Sequence, residues 1–204
     1  LQVERISPQG CGMGDISRRA LCRLAASLPL TGCAALAPPG DNLPPLPPSA
    51  GGPYILGAGD TLAVRIYDQP QLSGNFSIDD SGMIDFPLLG LIRAGGQTTD
   101  QLVAAITAGL QARQLILSPS VTAEVSTYRP FYILGEVNNP GQYPYRPRMT
   151  VLTAVSIAGG FTDRAAQDYV GVTRDTGSDA VQYRAQTFAL AEPGDVITVF
   201  ERRF

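Results

Sequence analysis

The side chains able to do acid–base or ligand chemistry in this 204-residue chain are carboxylates, arginines and tyrosines. It has no His, and all 15 of its basic residues are Arg. Without His there is no Ser-His-Asp or Cys-His pair, and the commonest general base and metal ligand is missing. Without Lys there is no Schiff base and no phosphate-loop lysine. The paired carboxylates are Asp79 and Asp80, with Asp85 nearby. A glycosidase needs two carboxyl groups facing one bond at a set separation. Adjacent aspartates on a strand point to opposite faces, and in a turn they are solvated, so this group favours structure over hydrolysis. Asn138 and Asn139 add oxygen donors, but no loop has the spacing of an EF-hand calcium site. Gly57-x-Gly59 precedes a strand pattern and not a helix, which excludes a dinucleotide turn. These residues point to a protein with no catalysis, no metal and no cofactor. Arg146 and Arg148 lie beside Tyr143 and Tyr145. They could meet an acidic polymer or a neighbouring subunit, or form a solvated loop. The net charge of -3 argues against nucleic acid as a partner.

The third chemical feature is Cys33. Met13 opens a stretch with Arg18, Arg19 and Arg23, followed by apolar Leu24 to Leu30 and then Thr31-Gly32-Cys33. A basic start, a short apolar run and small residues at a cleavage point are the layout of a secretory signal. Leu30-Thr31-Gly32-Cys33 resembles the Leu-x-Gly/Ala-Cys box of bacterial lipoproteins, which implies cleavage before Cys33 and acylation there. Residues 1–32 are therefore expected to be upstream residues and a signal peptide starting at Met13. Cys11 and Cys22 precede the cut, so the mature chain keeps Cys33 alone and has no disulfide framework. No run reaches the roughly 18 apolar residues of a helical span, so the lipid would be the anchor. Residues 33–53, crowded with Pro and Gly from Pro38 to Pro53, cannot build a core and are expected to be an extended tether.

Two folded units are expected to follow, residues 54–128 and 129–204. In the first, Leu62, Val64 and Ile66 alternate along a strand, and Phe76 and Ile78 continue in a second. Asp79-Asp80-Ser81-Gly82 predicts a hairpin turn into Met83–Phe86, with Gly82 at positive φ. Thr98 and Gln101 form a capping box before a helix whose stripe is Leu102, Val103, Ile106 and Leu110. Val121–Val125 is another strand. The second unit reads β-β-α-β-β-β, a β-grasp. Its strands are Phe131–Leu134, Gln142-Tyr143, Tyr169–Val172, Ala180–Tyr183 and Val196–Val199. Its short helix is capped by Thr150 and stopped by Gly159-Gly160. The fold class is thus α+β, in two small mixed units. Gly59-Asp60 and Gly194-Asp195 echo each other, each directly before an alternating strand, as a tight turn closed by the Asp oxygens would require.

Tyr54-x-Leu56-Gly57-x-Gly59-Asp60, followed by Asp80-x-Gly82 and Pro87-x-x-Gly90, resembles the polysaccharide export domain. Gly135, Val137-x-x-Pro140-Gly141-x-Tyr143 and Ala158-Gly159-Gly160 are similar to the soluble-ligand-binding β-grasp (SLBB) module. Together they resemble the outer-membrane polysaccharide export lipoproteins. That resemblance implies a homo-oligomeric ring conducting capsular or exopolysaccharide, with the polymer chain as cargo. It implies an inner-membrane polysaccharide copolymerase, often with a tyrosine kinase, as partner. Only one β-grasp module is present where larger members carry more, so a separate outer-membrane barrel is a further partner to expect. Ala34 is not the Asp that commonly retains lipoproteins in the inner membrane, which implies the outer membrane, facing the periplasm. A lipid-anchored module that binds a glycan or protein without forming a conduit stays open as the alternative.

Overall fold

The computed structural model describes residues 38–48, 52–177 and 179–202. Strand β1 (Thr61–Ile66) is central to a three-stranded antiparallel sheet, flanked by β2 (Gly74–Ser77) and β5 (Val121–Thr127). Its alternation puts Leu62, Val64 and Ile66 into the core. Helix α1 (Thr99–Ala112) covers that face with Leu102, Ile106 and Leu110, all fully buried, while Val103 stays at the margin. The expected capping box forms: the Gln101 N–H donates to the Thr98 hydroxyl, and the Thr98 N–H to the Gln101 amide oxygen.

One pairing differs from the sequence expectation. Residues 79–82 do make a tight turn, with the Gly82 N–H on Asp79 O and Gly82 at φ +77. Strand β3 (Met83–Phe86) nevertheless pairs with β4 (Gly90–Arg93), and β2 pairs with β1. The physical reason is local. Ala94 and Gly95 both donate to Gly82 O, so the turn closes against the chain leaving β4. Ile84 and Phe86 then anchor the β3–β4 ribbon in the core beside Phe76, whose ring lies 5.0 Å from that of Phe86.

The second sheet has the order β7-β6-β10-β8-β9. Its strands are β6 (Phe131–Gly135), β7 (Gly141–Tyr143), β8 (Tyr169–Asp175), β9 (Ala180–Gln186) and β10 (Val196–Val199). The central pair, β6 and β10, is parallel. Helix α2 (Val151–Ile157) crosses the sheet and buries Val151, Ala154 and Val155 against Phe131, Ile133, Val172 and Ile197. Its end is a Schellman motif, with Gly160 N–H on Val155 O and Gly159 N–H on Ser156 O. The expected β-grasp order is the observed one.

The tether expectation needs correction where the structure describes it. Residues 44–46 lie along β9 as a parallel bridge: Arg184 N–H donates to Pro44 O at 2.7 Å, and Leu46 N–H to Arg184 O at 2.8 Å. A bare edge strand offers unpaired backbone groups. This register uses only a carbonyl from Pro44 and an N–H from Leu46, so the prolines forfeit nothing. Asp41 adds an ion pair to Arg184 at 2.8 Å, and Leu46 packs on the second core. Among the described residues no helix is long and apolar enough to cross a membrane.

Candidate functional site

The two Gly-Asp turns are built alike. Asp60 N–H donates to Gly57 O and Asp195 N–H to Glu192 O, both at 3.2 Å. The carboxylates return the bond: Gly57 N–H donates to Asp60 Oδ2 at 2.9 Å, and Glu192 N–H to Asp195 Oδ2 at 2.7 Å. Gly59 and Gly194 both sit at φ +87, the left-handed geometry a type II turn requires at its third residue. Asp60 and Asp195 are the two buried charged residues among those described.

Their further partners diverge. Asp195 takes a two-pronged fork from Arg174 of its own domain, at 2.9 and 2.8 Å. Asp60 looks across the boundary between the sheets. It accepts the Tyr54 hydroxyl at 2.7 Å and the Arg129 N–H at 2.8 Å, with the Arg129 guanidinium at 3.5 Å. Arg129 lies in the connection between β5 and β6, and its Nε–H donates to Pro193 O in the second turn at 3.0 Å. A single side chain thus clasps both turns. A Cβ on Gly57 would overlap its guanidinium, and one on Gly194 would come within 2.8 Å of its Nε. Tyr54, Tyr128 and Tyr145 extend the joint edge to face, at 5.1 and 5.5 Å, and the Tyr145 hydroxyl donates to Ala191 O. Burial, then donation to Asp60, raises the Tyr54 hydroxyl well above its ordinary value, so it remains a donor. Burial likewise raises Tyr145. Both carboxylates are thus engaged by protein groups, Asp195 within its own domain and Asp60 at the joint, where Arg129 ties one domain to the other.

The structure brings Tyr54, Gly57, Gly59 and Asp60 together here, and puts Asp80 and Gly82 elsewhere, at the β3 turn. Asp79 is consumed by that turn, accepting from Ser81 N–H, Ser81 hydroxyl and Met83 N–H. Asp80 and Asp85 are exposed. In the second domain the two halves of the glycine motif meet, with Asn138 N–H on Gly160 O and the Asn138 amide on Gly159 O. Gly135 pairs with Val199 at the end of the parallel β6–β10 ladder, leaving no room for a Cβ beside Val199 O. Pro140 and Gly141 turn β6 into β7. Arg146 and Arg148 are exposed, but the tyrosines beside them turn inward: Tyr143 bonds Asn139 O and Tyr145 belongs to the joint. The expected Arg–Tyr surface is therefore reduced to the arginines. Cys33 lies outside the described residues. Sequence reasoning missed Arg129, Tyr128 and Arg174. The only signal for the first two was a Tyr-Arg-Pro between two strands. Among the described residues no three His, Cys, Asp or Glu side chains gather as a metal site.

Fold and joint define a two-domain α+β protein, a small export-type sheet domain locked to a β-grasp domain. The family model for polysaccharide biosynthesis/export protein matches residues 48–126, and that for the SLBB domain residues 130–185. The chain thus carries a polysaccharide biosynthesis/export domain followed by an SLBB domain. It is 36% identical over 147 residues to the exopolysaccharide production protein ExoF of Rhizobium meliloti, covering 63% of this chain and 34% of that protein. It is 30% identical over 134 residues to the EPS I polysaccharide export outer membrane protein EpsA of Ralstonia solanacearum, covering 53% and 35%. It is 29% identical over 128 residues to the polysialic acid transport protein KpsD of Escherichia coli, covering 61% and 22%. The chain thus spans about a third or less of the length of these relatives.

Proposed function

We propose that this chain is a subunit of a ring that passes an exopolysaccharide or capsular polymer through the envelope without acting on it chemically. The observation carrying this reading is the joint. A ring closes only if each subunit presents two different surfaces at a constant angle, and the Arg129 clasp holds two domains at one angle. Each domain also exposes apolar residues that a neighbour would cover: Leu88, Leu91 and Leu117 on the first, Tyr132 and Leu134 on the second. In this reading the protein is acylated at Cys33 and faces the periplasm from the outer membrane. It takes polymer from an inner-membrane copolymerase and hands it to a separate barrel. In this reading the two domains meet at 128/129.

Deleting the protein should stop polymer reaching the cell surface while precursor synthesis continues. Alanine at Asp79, Asp80 and Asp85 should leave export intact. Native mass of the membrane-extracted protein should show a closed oligomer. A strict monomer that supports full export, or purified protein that cleaves polysaccharide, overturns the proposal.

A further inference from the structure

The second domain has an uncovered apolar patch beside the docked Pro-rich strand. Phe188 is 72% exposed, Leu152 48% and Leu190 42%. Backbone bonds hold their segments together: Leu152 N–H donates to Thr187 O, Val151 N–H to Ala189 O, and Thr150 bridges Leu190. Phe188 also lines a groove of about 580 Å³ with Leu43, Pro45 and Leu46. Arg146 and Arg148 precede the same helix and have no ion pair among the described residues, unlike Arg174 and Arg184. Asp168 also lines the groove.

The path of the chain bears on what could cover this patch. Asp41 is pinned to Arg184, and residues 44–46 are bonded to β9. Cys33 is only eight residues before Asp41, a reach of at most about 29 Å. A free tether to residue 53 would reach roughly 70 Å. Docking of the tether therefore removes most of the slack and holds this edge of the second domain close to whatever anchors Cys33.

We infer that the surface formed by Leu152, Phe188 and Leu190, with Arg146 and Arg148, rests on the phospholipid surface to which the chain is anchored. This rests on the acylation proposed above. Neighbouring Phe and Leu side chains suit the boundary of headgroup and acyl chain, and unpaired arginines suit anionic phosphates. A sugar would want an open aromatic face with polar groups around it, but the Tyr169 ring in the groove is already covered by the Arg184 guanidinium at 4.0 Å. The contact is weak alone and gains from the tethered effective concentration.

The chain contains no Trp, so Phe188→Trp is a single fluorescent reporter at an exposed site. The acylated protein is reconstituted in phosphatidylethanolamine vesicles with about a quarter phosphatidylglycerol, the anionic component the arginines would meet. The expected result is a blue-shifted emission, quenched by lipids brominated near the headgroup. Adding Arg146→Glu and Arg148→Glu should weaken that quenching severalfold, as should about 0.5 M salt, which screens surface charge. Emission that is blue-shifted but not quenched by lipid means a protein neighbour and overturns the inference. Emission typical of water, or quenching indifferent to the arginines, overturns it too. Acylation is read separately, from the mass of the N-terminal peptide. If that mass shows a free Cys33, quenching of the unacylated chain at high lipid concentration still supports the patch, and its absence at saturating lipid overturns it.

Discussion

Two turns with the same backbone and the same reciprocal Asp bond do different work in this molecule. At Asp195 the spare oxygens face Arg174 across the second sheet, so the turn locks β10 to β8 within one domain. At Asp60 they face Tyr54 and the backbone of Arg129, so the turn locks one domain to the next. Local sequence specifies a motif that satisfies its own backbone and leaves acceptor capacity over. Its surroundings decide what that capacity holds. The cations differ accordingly: the Arg174 side chain is 13% exposed, whereas that of Arg129 is 31% exposed. The joint is the wetter of the two and should be the softer.

The comparison can be broken first at Asp195. Asp195→Ala leaves Arg174 with Glu192 and the Leu190 carbonyl in a largely buried setting and should cost about 3–5 kcal/mol. Chemical denaturation should show the second domain lost. Asp60→Ala removes acceptors from one hydroxyl and two N–H groups, but the Arg129 side chain can turn to solvent, so about 2–3 kcal/mol is expected. Its diagnostic is a loss of oligomer and export together, with each domain still folded. If Asp60→Ala proves as damaging to the second domain as Asp195→Ala, the contrast between joint and internal lock fails.

Gly82→Val tests a turn that belongs to neither. Gly82 has φ +77, and a Cβ there would stand 3.4 Å from Gly95 Cα, so about 1–3 kcal/mol of strain should fall on the first domain alone. An unchanged melting temperature would show that this turn is not under constraint. Arg129→Ala should cost only about 1 kcal/mol, because its ion pair is long and partly solvated. It should nevertheless split one unfolding transition into two, visible by calorimetry; a single transition would mean that the tyrosine ladder alone couples the domains. The smallest effect is at Asp79. Bonds from the Ser81 hydroxyl and then the Met83 N–H lower its pKa below 3.8. The charged form is therefore favoured by folding, so its contribution is present above that value and lost as pH falls through the lower, folded one. The Ser81 and Met83 amide resonances should shift only at strongly acid pH, and Asp79→Asn should abolish that step.

Much of this protein was decided by its sequence alone. Alternating Leu62, Val64 and Ile66, the Thr98–Gln101 capping box and the Gly159-Gly160 stop are short-range devices, complete within a few residues, and the structure repeats them. The β-grasp order was readable for the same reason, since each element carried its own period and its own terminators. The repeat of Gly-Asp before a strand was also visible, with its turn geometry. Pairing of β3 with β4 was not, because several strands in reach of one another offer similar ladders, and the bonds of Ala94 and Gly95 to Gly82 O, with the packing of Ile84 and Phe86, select among them. Docking of the Pro-rich stretch was hidden because composition reports what a segment cannot do alone, and not what an open strand edge will accept. The joint was least legible. Tyr54, Asp60, Arg129 and Pro193 span 140 residues, and none announces its partners, because a charge becomes a clasp only when burial withholds water and leaves one geometry that satisfies every donor.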